Sequence, residues 1–270
     1  MNVESIILAA GCASRFDFRD SSYKKYLLPF ARSNILNYII VGMIKAGIKK
    51  INLIVDMDAD TTEIKKSCFS FLKNISFKTT NISLNFIEND NIERENGYSL
   101  FLGAKNVNSE FFILSMADHI FSVNVYEELI KKYNNQDIVL ATDPIKIIGH
   151  YDLEDCTKVL GYNAQIKEIG KQIENYNRLD MGAFLMKTKT IKRISQFIEK
   201  IDDKFGVSDI LLSAINLDFN VSYLDFPDTI WLDVDNHNEY EKLKQLFNKT
   251  SKYRPFNLDI LIKKSLFNNT

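Results

Sequence analysis

Between residue 3 and about residue 142, short apolar runs alternate with longer amphipathic stretches, and this rhythm limits the available folds more than any other feature. Residues 5–9 have the continuous apolar pattern of a buried strand and feed a glycine-containing loop. Residues 35–46 carry Ile35, Ile39, Ile40, Met43 and Ile44 at helical spacing and stop at Gly47, a natural C-terminal cap. Strands are then expected at 50–55, 82–87, 111–115 and 137–142, with helices at 63–73, 97–105 and 125–133. Strand–loop–helix repetition of this kind builds a doubly wound, mostly parallel α/β sheet of the Rossmann-like class. The second half changes character. Strand-like pieces at 157–162, 165–169 and 181–186 precede helices at 191–200 and 207–215, strands at 221–224 and 229–232, and a helix at 238–247.

No Pro/Gly/Ser linker divides the 270 residues, so one domain over 1–250 is expected. Its first part, to about 142, would carry the loop chemistry, and 143–250 would be an elaborated second half. Residues 251–270 form a C-terminal extension, and 258–266 read as a docking helix. The 34 Lys+Arg against 35 Asp+Glu leave a net charge of −1, which excludes a global basic footprint for nucleic acid. Three scattered cysteines without a CxxC pair argue against a disulfide framework or a cysteine-rich zinc site. No apolar run reaches the ~18 residues of a membrane span. The start reads as a first strand rather than a signal peptide, which points to the cytoplasm.

The segment Leu8-Ala9-Ala10-Gly11-Cys12-Ala13-Ser14-Arg15-Phe16 bears most on chemistry. A strand feeding a small-residue loop gathers backbone N–H groups near one point, a nest able to hold phosphate, and Arg15 adds a fork of donors. Lys24 and Lys25 follow within Lys24-Lys25-Tyr26-Leu27-Leu28-Pro29-Phe30. The alternative is a plain strand–turn with solvated lysines.

Leu-Ala-Ala-Gly-x-x-x-Arg-Phe followed by Lys-x-Leu-x-Pro resembles the signature of the nucleotidyltransferases that activate sugar phosphates and phospho-alcohols, whose nucleotide-binding sheet is Rossmann-like (GT-A type). Ala13 replaces the second glycine of that signature, and Lys24 replaces the proline before its lysine. The resemblance implies that Ala10, Gly11, Cys12 and Ala13 lie against the nucleotide, and that Arg15 and Lys25 neutralise the triphosphate as pyrophosphate leaves. The turn Asn96-Gly97-Tyr98-Ser99 falls where the family contacts the base, implicating Asn96, Gly97 and Ser99, with Tyr98 closing the pocket or pointing into the helix core.

Phe112-Ile113-Leu114-Ser115-Met116-Ala117-Asp118-His119 resembles the strand that ends in the family's metal-binding aspartate. On its own Asp118 reads as a strand-end carboxylate capping the next turn. Trp231-Leu232-Asp233-Val234-Asp235 resembles the second acidic motif, with Asp233 as the other ligand of Mg²⁺. Asp235 reads as a cap of the following helix, with assistance to the metal as the alternative, and His119 as a packing residue at the strand end, with a substrate contact as the alternative. The block from Ile169-Gly170-Lys171 to Asp180-Met181-Gly182-Ala183-Phe184 resembles the acceptor side, which assigns Lys171, Asp180 and Gly182 to the acceptor.

Together these motifs are most similar to the inositol-1-phosphate cytidylyltransferase branch. That similarity implies transfer of CMP from CTP to a small phosphorylated alcohol, with inositol 1-phosphate first. The same superfamily also offers phosphocholine, 2-aminoethylphosphonate and sugar 1-phosphates. A nucleotide-sugar glycosyltransferase would want Asp-x-Asp after the mid-chain strand, where this chain has Ala117-Asp118-His119. A non-catalytic nucleotide sensor would lack the phosphate cations. A homodimer is compatible with the sequence and nothing in it requires one.

Overall fold

The computed structural model describes residues 1–11, 24–75, 81–144, 153–198 and 203–248, without the side chains of 246–248. The chain opens with β1 (Val3–Leu8), and a 3-10 turn at Lys25–Leu27 leads into two short strands, β2 (Pro29–Phe30) and β3 (Ser33–Asn34). Then come α1 (Ile35–Lys45), β4 (Lys50–Asp56), α2 (Thr61–Asn74), β5 (Ser83–Asn89) and α3 (Glu95–Asn106). β6 (Phe111–Met116), β7 (His119–Phe121), α4 (Val125–Lys131) and β8 (Ile138–Pro144) complete the first half. The second half holds β9 (Lys158–Tyr162), β10 (Gln165–Gly170), β11 (Arg178–Lys187), α5 (Thr188–Ile198) and α6 (Val207–Asn216). β12 (Val221–Asp225), β13 (Trp231–Asp233) and α7 (His237–Asn248) follow.

Local chemistry sets the helix ends. The Asn34 side chain accepts the Asn37 N–H at the start of α1, and Gly47, at φ +88°, turns the chain out of it. Asp60 caps α2 in the same way through the Glu63 N–H.

Among the described residues, nine strands form one sheet in the order β5-β4-β1-β6-β11-β8-β12-β10-β9. The pairs β5–β4, β4–β1, β1–β6 and β12–β8 are parallel. β11 inserts between β6 and β8 and runs antiparallel to both. No helix separates β10 from β11, and a parallel return needs a crossover of a dozen or more residues. The sheet is therefore doubly wound over its first four strands and mixed beyond them. β7, which the sequence did not signal, pairs antiparallel with β13 outside the main sheet, with Asp233 opposite His119.

Both faces of the sheet are covered, so its central strands are apolar on both sides. Ile7, Leu53 and Ile113 join a core with α1, α2 and α4, while Ile6, Leu8, Phe112 and Leu114 join one with α3, α5 and α6. The helices change face between β1 and β6. That is the topological switch point of the sheet, where a crevice opens at the strands' carboxyl ends. No described helix is long and apolar enough to cross a membrane.

Candidate active site

A cleft of about 1180 Å³ opens at this switch point. Ala10 and Gly11 leave β1 into its wall, and the Ala117 N–H bonded to the Leu8 carbonyl at 3.1 Å holds the end of β6 beside them. Asp118 and His119 follow, 8 % and 9 % exposed. β13 brings Asp233 across from the far end of the chain, and the Val234 N–H bonds the Asp118 carbonyl at 3.2 Å.

Ligand atoms of Asp118, His119 and Asp233 all lie within 4.8 Å of one another. His119 Nδ1 donates to Asp118 Oδ1 at 2.8 Å and stands 3.7 Å from Asp233 Oδ1. Asp233 Oδ1 is buried and has no hydrogen-bond partner among the described residues. An orphaned carboxylate oxygen beside a second carboxylate is a donor set that fits a hard divalent cation. Lys25 enters from the other side. Its ammonium contacts Asp118 Oδ2 and lies 2.6 Å from Asp235 Oδ1.

The charges shape one another. Burial opposes ionisation of Asp118, but Lys25 and His119 hold its carboxyl well below the usual range. Burial pushes Asp233 up to about 7, helped by the like charges of Asp118 and Asp235 and opposed by His119 and Lys25. His119 is held protonated up to about 9: burial disfavours its charge, and Asp233, Asp118 and Asp180 more than offset that. Asp180 is pushed up to about 6 by burial, against the Gly182 N–H and His119.

The structure brings Ala10, Gly11, Lys25, Asn96, Ser99, Asp118, Lys171, Asp180, Gly182 and Asp233 to the same cleft. Cys12, Ala13 and Arg15 lie outside the described residues, as do residues 251–270. Gly97 is placed differently from the nucleotide contact expected of it. A Cβ there would meet the Phe205 carbonyl at 2.5 Å, and its N–H donates to that carbonyl at 3.1 Å, so it serves close packing. Tyr98 does not close the cleft: its ring lies under the Arg94 guanidinium at 4.3 Å. Asn96 lines the cleft, but its Oδ1 is occupied by the Val207 N–H at the start of α6, at 2.9 Å. Ser99 Oγ accepts from Asn89 Nδ2 at 2.8 Å.

The geometry gives roles to His119 and Asp235, which the sequence left open, and to Trp231, which it did not single out. His119 is not a mere packing residue, because its ring nitrogen faces two carboxylates. Asp235 is not the cap of α7: Asn236 is, accepting the Glu239 N–H at 3.0 Å, while Asp235 reaches Lys25. The i, i+2 spacing of Asp233 and Asp235 in extended chain was the available signal, since it puts both carboxylates on one side. Trp231, the one tryptophan of the chain, stacks on His119 at 6.0 Å between centroids and donates its Nε1–H to Asp143 at 3.0 Å.

No protein-family model matches the chain. It is 26% identical over 247 residues to the bifunctional IPC transferase and DIPP synthase of Aquifex aeolicus, covering 92% of this chain and 52% of that protein. The bifunctional IPC transferase and DIPP synthase of Thermococcus kodakarensis is 25% identical over 248 residues, 92% of this chain and 51% of its own length. The chain thus spans about half the length of these relatives. Among solved structures, the inositol-1-phosphate CTP transferase from T. maritima superposes with a TM-score of 0.75 at 23% identity, over 93% of this chain and 99% of that one. Sheet order, cleft and likeness agree: the chain has the nucleotidyltransferase fold, and its sequence resembles the inositol-1-phosphate cytidylyltransferase branch of that superfamily.

Proposed function

We propose that this chain transfers CMP from CTP to a small phosphorylated alcohol, inositol 1-phosphate, and releases pyrophosphate. The observation that carries the reading is the convergence of Asp118, Asp233 and Lys25 in the crevice between β1 and β6. The nucleotide would lie over the first part of the chain, to about residue 142, and the acceptor against 143–250.

An acceptor phosphate oxygen attacks the α-phosphorus in line, the α–β bridging bond breaks, and its electrons leave on pyrophosphate. The nucleophile is anionic near neutral pH and needs no general base, so positioning and charge neutralisation dominate. Asp118 and Asp233 would hold Mg²⁺, which supplies positive charge to the phosphates when bound. Lys25 adds a half-buried cation, and Arg15 a second one by sequence.

The part of the cleft wall that comes from residues 143–250 carries Glu168, Gln172, Glu174, Asn175 and Asp180, with Lys171 among them. Oxygen acceptors in that number suit the hydroxyl donors of a polyol, and the lysine suits its phosphate. The test is pyrophosphate release with CTP against a panel of inositol 1-phosphate, phosphocholine, 2-aminoethylphosphonate and sugar 1-phosphates. Inositol 1-phosphate should give the highest kcat/KM; preference for another acceptor would reassign the substrate and keep the chemistry.

A further inference from the structure

Asp235 stands next to the site, yet neither helix capping nor the cluster of Asp118, His119 and Asp233 accounts for it. Its Oδ1 lies 2.6 Å from Lys25 Nζ, across 210 residues of chain. The same ammonium contacts Asp118 Oδ2, and Asp118 Oδ1 is taken by His119. Both oxygens of Asp118 are therefore engaged inside the protein. A divalent cation that binds Asp118 through Oδ2 competes with Lys25 for that oxygen.

The side chain of Lys25 is only 16% exposed. With Asp118 as its sole anionic partner, a cation that far from water could not give it up cheaply, because an unpaired buried charge costs several kcal/mol. An ammonium is a compact charge with three rotatable donors, so it can rest on two carboxylates and lean on either. We propose that Asp235 is a positioning residue that gives Lys25 a second seat. It lets the ammonium yield Asp118 to a divalent cation while staying in the cleft, where a phosphate can reach it. This rests on the metal-site reading above.

The experiment measures Mn²⁺ binding to the full chain without nucleotide, from the electron paramagnetic resonance signal of free Mn²⁺. Asp235→Asn forces Lys25 back onto Asp118 and should weaken Mn²⁺ binding about tenfold. Lys25→Met removes the competitor and should tighten it. In the Lys25→Met background, Asp235→Asn should change Mn²⁺ affinity less than threefold, because the residue it serves is gone. Asp235→Glu, which keeps the carboxylate, should restore native affinity and covers the case in which the asparagine variant does not fold.

An Asp235→Asn loss of threefold or more in the Lys25→Met background would make Asp235 an ordinary nearby charge or a ligand and overturn the proposal. So would an Asp235→Asn variant that binds Mn²⁺ like the native chain. Mn²⁺ binding that survives Asp118→Asn, or is absent from the native chain, would overturn the metal-site reading and this proposal with it.

Discussion

A Cβ on Gly182 would stand 2.6 Å from Cδ2 of His119 and 2.7 Å from its Nε2, on a backbone whose φ is +70°. Gly182 is thus the floor under the imidazole that faces Asp118 and Asp233. Alanine there meets a left-handed backbone penalty of about 1–2 kcal/mol and must also push the ring aside. Gly182→Ala should lower stability by about 2–4 kcal/mol and cut kcat/KM well beyond what the melting shift explains. A thermal melt beside a kinetic assay at a temperature where the variant is folded checks this; unchanged turnover would detach His119 from the site.

Lys25→Met should slow turnover about 10²–10³-fold if one cation in the transition state is worth about 3–4 kcal/mol. Its fold should survive, since the aliphatic stem is kept. A loss of only a few-fold in kcat/KM would remove Lys25 from charge neutralisation.

Asp118→Asn and Asp233→Asn should each abolish Mg²⁺-dependent turnover, because a site built on two carboxylates does not keep its geometry with one. Activity is titrated with Mg²⁺ and Mn²⁺ up to tens of millimolar (~10–50 mM, far above the weak binding of exposed carboxylates). Full recovery at high metal in either variant would show that its carboxylate is not a direct ligand.

His119 keeps its proton up to about 9, above the ordinary 6.5, because burial is outweighed by Asp233, Asp118 and Asp180. The folded chain holds that proton more tightly than the unfolded one, so the stabilisation is complete below about pH 6.5 and vanishes as pH rises through about 9. Asp180 and Asp233, raised to about 6 and about 7, act in the same direction at lower pH, where the unfolded chain sheds protons that the folded chain keeps. The measurement is the stability difference between the native chain and His119→Asn in a chelator, at pH 6 and pH 9.5. It should shrink by an amount on the order of 3 kcal/mol at most; a difference that does not change with pH would contradict the assigned pairing.

Much of the parallel half was legible in the sequence because its signals are local. Ile35, Ile39, Ile40 and Met43 mark α1, and the apolar run of β6 ends where a switch-point ligand would sit. What escaped depends on partners far along the chain. β7 exists only because β13 pairs with it, and that pairing carries His119 to Asp233 and Trp231 to Asp143. Asp235 looked like a cap because aspartate before a helix commonly is one; the half-buried Lys25, 210 residues away, competes for it and wins. Gly97 matched a base-contacting motif, yet its missing side chain is used against Phe205.

Cytidylyl transfer to a phosphorylated alcohol is read out by ³¹P NMR of the full chain with CTP, inositol 1-phosphate and Mg²⁺. A new pair of coupled diphosphate resonances should grow in step with pyrophosphate, at the expense of CTP and the phosphomonoester, with UTP, ATP and GTP poor replacements. A spectrum in which CTP is untouched with every phospho-alcohol tried, or in which UTP or ATP reacts faster, would contradict it.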